Sequence, residues 1–284
     1  DSRGGLVCGL RTGLYRFDPI TGRFDLLQIV DAAHPGNRLN DGYVDGQSRL
    51  WFGTMDDRER ATTGTLYRFA QGHLERMDTG YVITNGPAMS PDGRILYHVD
   101  TLQRCVYAFD VDPLGAMSGK RVFVRVTEAD GYPDGPAVDA AGNLWLAMFG
   151  GWGVRCYSPQ GELLRSLDLP VAQCTKAAFG GADLRTLYVT TASIGLNAAQ
   201  QARQPVKGLK HPRGVLGKVL SHVGARAESA LTGRADDDDV RAGAQGFAVA
   251  RLLVRSVAVV PVVNKEFEAQ FVGDADGFIG RAVI

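Results

Sequence analysis

Leu144-Trp145-Leu146-Ala147, entered through the turn Ala141-Gly142-Asn143, is a short apolar run of strand-forming residues, and the chain repeats it at a nearly fixed interval. Upstream stand Leu96-Tyr97-His98-Val99, Leu50-Trp51-Phe52-Gly53-Thr54 and Gly5-Leu6-Val7-Cys8-Gly9; downstream stands Leu187-Tyr188-Val189-Thr190. The leucines at 6, 50, 96, 144 and 187 are separated by 44, 46, 48 and 43 residues. After each of the first four comes a segment with an aromatic in the same setting: Leu14-Tyr15-Arg16-Phe17, Leu66-Tyr67-Arg68-Phe69, Val106-Tyr107-Ala108-Phe109 and Val154-Arg155-Cys156-Tyr157. In the first three, apolar and polar residues roughly alternate, the period of a half-buried strand.

Turn chemistry fills the gaps: Asp18-Pro19 with Thr21-Gly22, Asp45-Gly46, Pro91-Asp92-Gly93 and Pro159-Gln160-Gly161 supply the positive or fixed φ of tight hairpins. A four-stranded unit of about 40–50 residues, repeated, is the signature of a β-propeller, so the expected fold is all-β with about four to five blades recognisable. The pattern stops near Gln204-Pro205. From Gly214 to Thr232 the apolar residues Val215, Leu216, Val219, Leu220, Val223, Ala227, Ala230 and Leu231 fall at helical spacing, between Pro212 and Gly233. The chain therefore divides into a propeller over 1–205 and a divergent tail over 206–284, with a helix expected at 213–232 and irregular structure beyond. The acidic run Asp236 to Asp239 reads as a solvated loop.

The 284 residues are 45% hydrophobic and 22% charged, the composition of a folded globular chain. Thirty-one basic residues balance thirty-one acidic ones with no basic stripe, which speaks against nucleic acid as a partner. The most apolar stretch, Phe247 to Val263, carries Arg251, Arg255 and Pro261 and does not read as a membrane span. Cys8, Cys105, Cys156 and Cys174 are far apart, without a Cys-x-x-Cys pair, and are expected to be reduced and mostly buried, consistent with a cytoplasmic protein. Residue 1 is Asp with no leader pattern after it, which reads as a fragment or a processed end.

The innermost strands of a propeller bring their residues together at one channel mouth. At a common offset before the leucine anchors lie Asn40, 10 before Leu50; Asn85, 11 before Leu96; and Asp134, 10 before Leu144. Glycine follows at 42, 86 and 135, allowing sharp backbone turns. Amide and carboxylate oxygens without histidine suit one hard divalent ion, Ca, Mg or Mn, with Zn admitted through carboxylate. The five histidines form no triad spacing with a nucleophile-elbow serine, and His98 reads as a structural residue.

Arg38-Leu39-Asn40-Asp41-Gly42, Leu50-Trp51-Phe52-Gly53-Thr54-Met55, Thr84-Asn85-Gly86, Tyr132-Pro133-Asp134-Gly135, Phe179-Gly180-Gly181 and Tyr188-Val189-Thr190-Thr191-Ala192, in that order, resemble the senescence-marker-protein, gluconolactonase and luciferin-regenerating-enzyme family over residues 1 to about 205. The resemblance implies a regucalcin-like six-bladed propeller that hydrolyses a lactone, usually of a sugar, at a single divalent cation. It implies Asn85 and Asp134 as metal ligands, with Asp134 also the proton acceptor, and Arg38, Asn40 and Asp57 as substrate contacts; Asp56 competes with Asp57 by one residue.

Two departures accompany it. The family's third ligand, a glutamate, should lie upstream of residue 1, in an N-terminal blade absent from this chain, leaving Asn85 and Asp134 alone. After Gln204-Pro205 the strand that completes the last blade is not recognisable, so an open ring with unpaired edges is expected. The leading expectation is a metal-dependent sugar lactonase; the alternatives are a non-catalytic propeller binding module and a truncated, inactive relative. The particular lactone, the metal and the oligomeric state are not legible.

Overall fold

The computed structural model describes residues 6–18, 20–180 and 184–204, and the backbone of three further short strands, Leu209–His211, Gly214–Leu216 and Ser256–Pro261. Strands β1 (Leu6–Leu10), β2 (Gly13–Phe17) and β3 (Phe24–Ile29) form a three-stranded antiparallel sheet. Three complete four-stranded meanders follow. They are β4 (Asn37–Val44) to β5 (Leu50–Asp56), β6 (Gly64–Ala70) and β7 (His73–Tyr81); β8 (Thr84–Met89) to β9 (Ile95–Asp100), β10 (Cys105–Val111) and β11 (Met117–Arg125); and β12 (Tyr132–Val138) to β13 (Leu144–Phe149), β14 (Gly153–Tyr157) and β15 (Leu163–Asp168). β16 (Cys174–Gly180) and β17 (Thr186–Thr191) begin the next sheet. The all-β propeller expected from the repeat is what forms.

Each anchor leucine opens the second strand of its blade, and the strand before it is innermost: β4, β8, β12 and β16 neighbour one another in that order. The apolar core lies between blades. Leu14, Phe52 and Tyr67 pack together at the first contact, Trp51, Leu66, Leu96 and Phe109 at the second, Tyr97, Val106, Leu144 and Leu146 at the third, and Trp145, Val154, Leu187 and Val189 at the fourth. The packing admits little extra volume. A Cβ at Gly53 would lie 2.1 Å from Thr84 Oγ1, which instead donates to Thr54 O at 2.9 Å and seats β8 against β5.

The turn residues and the tryptophans form one recurring lock. Asp45 Oδ1 accepts from the backbone N–H of Gln47 and Arg49, and its Oδ2 accepts from Arg49 Nε at 2.6 Å and Trp51 Nε1 at 2.8 Å. Asp139 repeats it with the N–H of Ala141 and Asn143 on Oδ1, and with Asn143 Nδ2 at 3.0 Å and Trp145 Nε1 at 2.9 Å on Oδ2. One carboxylate thus closes the hairpin and satisfies the indole that fills the core between blades, which explains why turn and anchor recur together.

β17 pairs in parallel with β20 (Ser256–Pro261), so the strand expected to be left as an open edge has a neighbour within the tail. Where a helix was expected from 213, β18 (Leu209–His211) instead pairs antiparallel with β19 (Gly214–Leu216). Glycine at the head of the segment and the β-branched Val215 favour the hairpin over a first helical turn. The rest of that stretch, the acidic run and the boundary at 205 lie outside the described residues. A helix α1 (Ala198–Arg203) is fixed by a capping box, with Asn197 Oδ1 accepting from Gln200 N and Gln200 Oε1 from Asn197 N. No helix among the described residues is long and apolar enough to cross a membrane. All four cysteines are free thiols and all but Cys8 are buried; burial pushes Cys156 and Cys174 up to about 12.

Candidate functional site

Every innermost strand breaks register once. The breaks fall between Leu39 and Gly42 in β4, Asn85 and Ala88 in β8, Pro133 and Pro136 in β12, and Cys174 and Lys176 in β16, each opposite residues just beyond the anchor leucine. A bulge frees backbone groups from the ladder and re-aims the side chains beside it. Asn40, Asp41, Asn85, Asp134 and Lys176 all sit at these breaks.

Hydrogen bonds link them across blades. Asn40 Nδ2 donates to Asn85 Oδ1 at 2.8 Å and to Thr84 O at 2.6 Å, while Asn40 Oδ1 accepts from Arg38 Nη1 at 2.7 Å. Asn85 Nδ2 donates to Thr101 Oγ1 at 2.8 Å, and the Thr101 hydroxyl donates to Pro133 O at 2.9 Å. With its one proton committed to Pro133, Thr101 can only accept from Asn85, which fixes the Asn85 amide with Oδ1 toward Asn40. Arg38 is held by Asp57 Oδ1 on Nε at 3.1 Å, and Asp57 Oδ2 accepts from Arg11 Nη2 at 2.7 Å. Burial pushes the Arg38 guanidinium down and Asp57 opposes that shift.

Asp134 lies half-buried beside Pro133 at the break in β12. Burial first, and the neighbouring Asp41 second, hold its carboxyl well above the usual carboxylate range, against the Gly135 N–H, Lys176 and Arg38. The Asp41 side chain is 4% exposed, and its Oδ2 accepts from Lys176 Nζ at 2.6 Å and Gly86 N at 2.8 Å. Among the described residues no three His, Cys, Asp or Glu side chains converge on one point.

The three residues expected at one mouth are therefore brought into one connected neighbourhood: Asn40 touches Asn85, and Asn85 reaches the Asp134 backbone neighbour Pro133 through Thr101. Arg38 and Asp57 join it as an ion pair, whereas Asp56 accepts the N–H groups of Arg58, Arg60 and Ala61 and caps its own loop. Asp41 and Lys176 were not foreseen. Lys176 stands 11 residues before Leu187, the offset Asn85 has from Leu96, so continuing the same count into the next blade finds it. Asp41 was masked by Asn40 one position earlier. His98 is fully buried and edge-on to Tyr81 at 4.8 Å, and its ring nitrogens bond to none of these residues.

A propeller with a polar cluster strung across the breaks of its inner strands is the class that these features define. The sequence profile of the SMP-30/Gluconolactonase/LRE-like region matches residues 1–193, and the chain belongs to that family. It is 36% identical over 209 residues to the 6-deoxy-6-sulfogluconolactonase of Pseudomonas putida, covering 72% of each chain. It is 37% identical over 223 residues to the L-arabinolactonase of Azospirillum brasilense, covering 77% of this chain and 72% of that one. Among solved structures it is similar to the calcium-binding regucalcin of Agrobacterium tumefaciens, with a TM-score of 0.68 at 30% identity over 71% of this chain and 69% of that one.

Proposed function

We propose that the chain hydrolyses a sugar lactone with one divalent cation held at the inner mouth by Asn85 and Asp134. Relatives named as lactonases of two different sugar acids supply the reaction class, and a regucalcin described as calcium-binding supplies the cation. The observation that carries the reading is the Asp134 carboxyl, whose charged form burial and Asp41 disfavour, on a strand that Thr101 ties through Pro133 O to an Asn85 amide of fixed orientation. Such oxygen donors fit a hard cation, and a destabilised carboxylate gains most from one.

When bound, the cation supplies Lewis acidity for the lactone carbonyl and acidifies water. Asp134, besides holding the cation, would accept the proton of the attacking water on a carboxylate oxygen. Arg38, its Nε anchored by Asp57 and its Nη1 by Asn40, presents the outer edge of a rigid guanidinium to ring hydroxyls and orients the sugar. Asn40 keeps Arg38 and Asn85 in register by bonding to both.

Proton release from a panel of aldonolactones, with Ca²⁺, Mg²⁺, Mn²⁺ or Zn²⁺ and with chelator, tests the proposal against Asp134→Asn. We expect a cation-dependent rate above spontaneous hydrolysis that falls by about 10²-fold or more in the variant. An equal rate in chelator, or an unimpaired Asp134→Asn, would sink it.

A further inference from the structure

Among the described residues, Asp57 of the inner mouth is paired with Arg38, and of the other two carboxylates, Asp41 and Asp134, Asp41 already has a cation. Lys176 Nζ lies 2.6 Å from Asp41 Oδ2, with the two side chains 13% and 4% exposed. The same carboxylate accepts from Gly86 N at 2.8 Å through Oδ2 and from Gly42 N at 2.7 Å through Oδ1, so it is fixed on both oxygens. The lysine stem crosses the residue next to Asp134: a Cβ on Gly135 would lie 2.2 Å from Lys176 Cδ, 2.8 Å from Thr175 O and 3.2 Å from Asp41 Oδ2. Gly135 leaves the space through which an ammonium from β16 reaches a carboxylate on β4, two residues 135 positions apart.

We infer that Lys176 is a built-in cation that neutralises Asp41 and thereby holds down the affinity of the mouth for a divalent metal ion. The inference rests on the reading of Asn85 and Asp134 as the cation's ligands. With Lys176 in place the mouth carries one uncompensated carboxylate charge, that of Asp134; without it, the charge of Asp41 is added. Affinity of oxygen sites for hard cations climbs with ligand charge. Gly135, the residue after Asp134, pairs with Lys176 across the strands, and the space at its Cβ is bounded by both Lys176 and Asp41, the proximity the inference requires. A weakly charged site suits an ion that must polarise a substrate, since each further carboxylate reduces its Lewis acidity.

The test is calorimetric titration of the full chain, stripped with chelator, with calcium chloride at fixed pH and ionic strength. Lys176→Met should bind Ca²⁺ about tenfold or more tightly than wild type, from loss of one positive charge in a partly buried site. Lys176→Arg, which keeps the charge, should bind as wild type does. The double variant Asp41→Asn/Lys176→Met should return toward wild type, because the added carboxylate charge is gone. Circular-dichroism melts establish that each variant folds; if Lys176→Met does not, Lys176→Gln, which can still donate to Asp41, takes its place with the same expectation. Unchanged or weaker binding by the folded, uncharged variant overturns the inference. If wild type binds Ca²⁺ and Asp134→Asn does not, that failure leaves the metal-site reading standing. Calcium binding that is indifferent to Asp134→Asn, or absent from both wild type and Lys176→Met, overturns the reading and the inference together.

Discussion

His98 gives the sharpest test of how the blades pack. It sits in β9 with no exposed surface, its ring edge-on to Tyr81 at 4.8 Å, and neither Nδ1 nor Nε2 has a hydrogen-bond partner. Burial pulls its pKa down to about 3; Asp78 opposes this and Lys120, which bonds to Asp78, reinforces it. The folded state therefore keeps the ring neutral, while the unfolded chain takes up a proton near pH 6.5. The sign follows from proton uptake: between about 6.5 and 3 the unfolded state binds more protons, so stability falls as pH falls. From pH 8 to pH 5 the loss attributable to this one group is about 2 kcal/mol, at 1.36 kcal/mol per unit below the unfolded pKa. His98→Leu removes the titration and both unpartnered nitrogens while roughly keeping the volume. At pH 8 relief of the unpaired polar atoms offsets loss of the edge contact to Tyr81, so the variant should lie within about 1 kcal/mol of wild type. At pH 5 it should be more stable than wild type by about 2 kcal/mol beyond whatever difference is found at pH 8. Urea unfolding of both proteins at the two pH values measures this, and the subtraction cancels every titrating group they share. A difference that does not change with pH would refute the reasoning, because it would mean that His98 has a proton partner in the folded state.

Asp139→Ala should cost about 3 kcal/mol or more in urea unfolding, since it strands the buried Trp145 indole and opens the hairpin before β13; a loss below 1 kcal/mol would show that the lock is not what holds the blade. Gly135→Ala should cost about 1–3 kcal/mol and lower lactonase activity more than stability alone explains, because the Thr175 carbonyl 2.8 Å from the added Cβ cannot give way and Lys176 must move. In the native protein a thiol reagent should modify Cys8 and leave Cys105, Cys156 and Cys174 untouched until denaturant is added; prompt reaction of more than one thiol would contradict their burial.

The blades are legible because one local pattern serves two ends at once. In Asp45-Gly46…Trp51 and Asp139…Trp145 the turn carboxylate also receives the indole N–H, so turn and strand anchor must keep their spacing. The mouth is legible as far as that spacing carries: Asn40, Asn85 and Asp134 follow from a fixed count, and the same count reaches Lys176. The pairing of Lys176 with Asp41 is not legible, since it joins residues 135 apart whose meeting depends on ring curvature and on the space left by Gly135. Asp56 and Asp57 show a different limit. One residue of register separates a loop cap from the partner of Arg38, and a one-residue step in a strand reverses the face of the side chain. The tail is a third case: the helical spacing is read over 214–232, and in its described part, 214–216, a glycine and a β-branched valine pair as a strand.

The same side chains hold the blades together. Among the described residues, the inner strands β4, β8 and β12 belong to separate sheets, and β12 meets β16 through the single parallel pair Gly135 and Lys176. The cross-blade rungs come from the mouth: Asn40 reaches Thr84 O, Asp41 reaches Gly86 N, Thr101 reaches Pro133 O, and Lys176 closes back onto Asp41. At the breaks in β8 and β12 backbone groups turned out of the ladder are taken up by polar side chains from an adjacent blade, and at the break in β4 by Arg38 and Asp41 of the same strand. A substitution at Asn40 or Asp41 therefore perturbs chemistry and inter-blade cohesion together, and loss of activity there cannot by itself assign a catalytic role. Asp134 is the better probe: its carboxyl accepts none of these cross-blade bonds, so Asp134→Asn should leave the melting temperature close to that of wild type while removing the charge on which the proposed cation binding and proton transfer both depend.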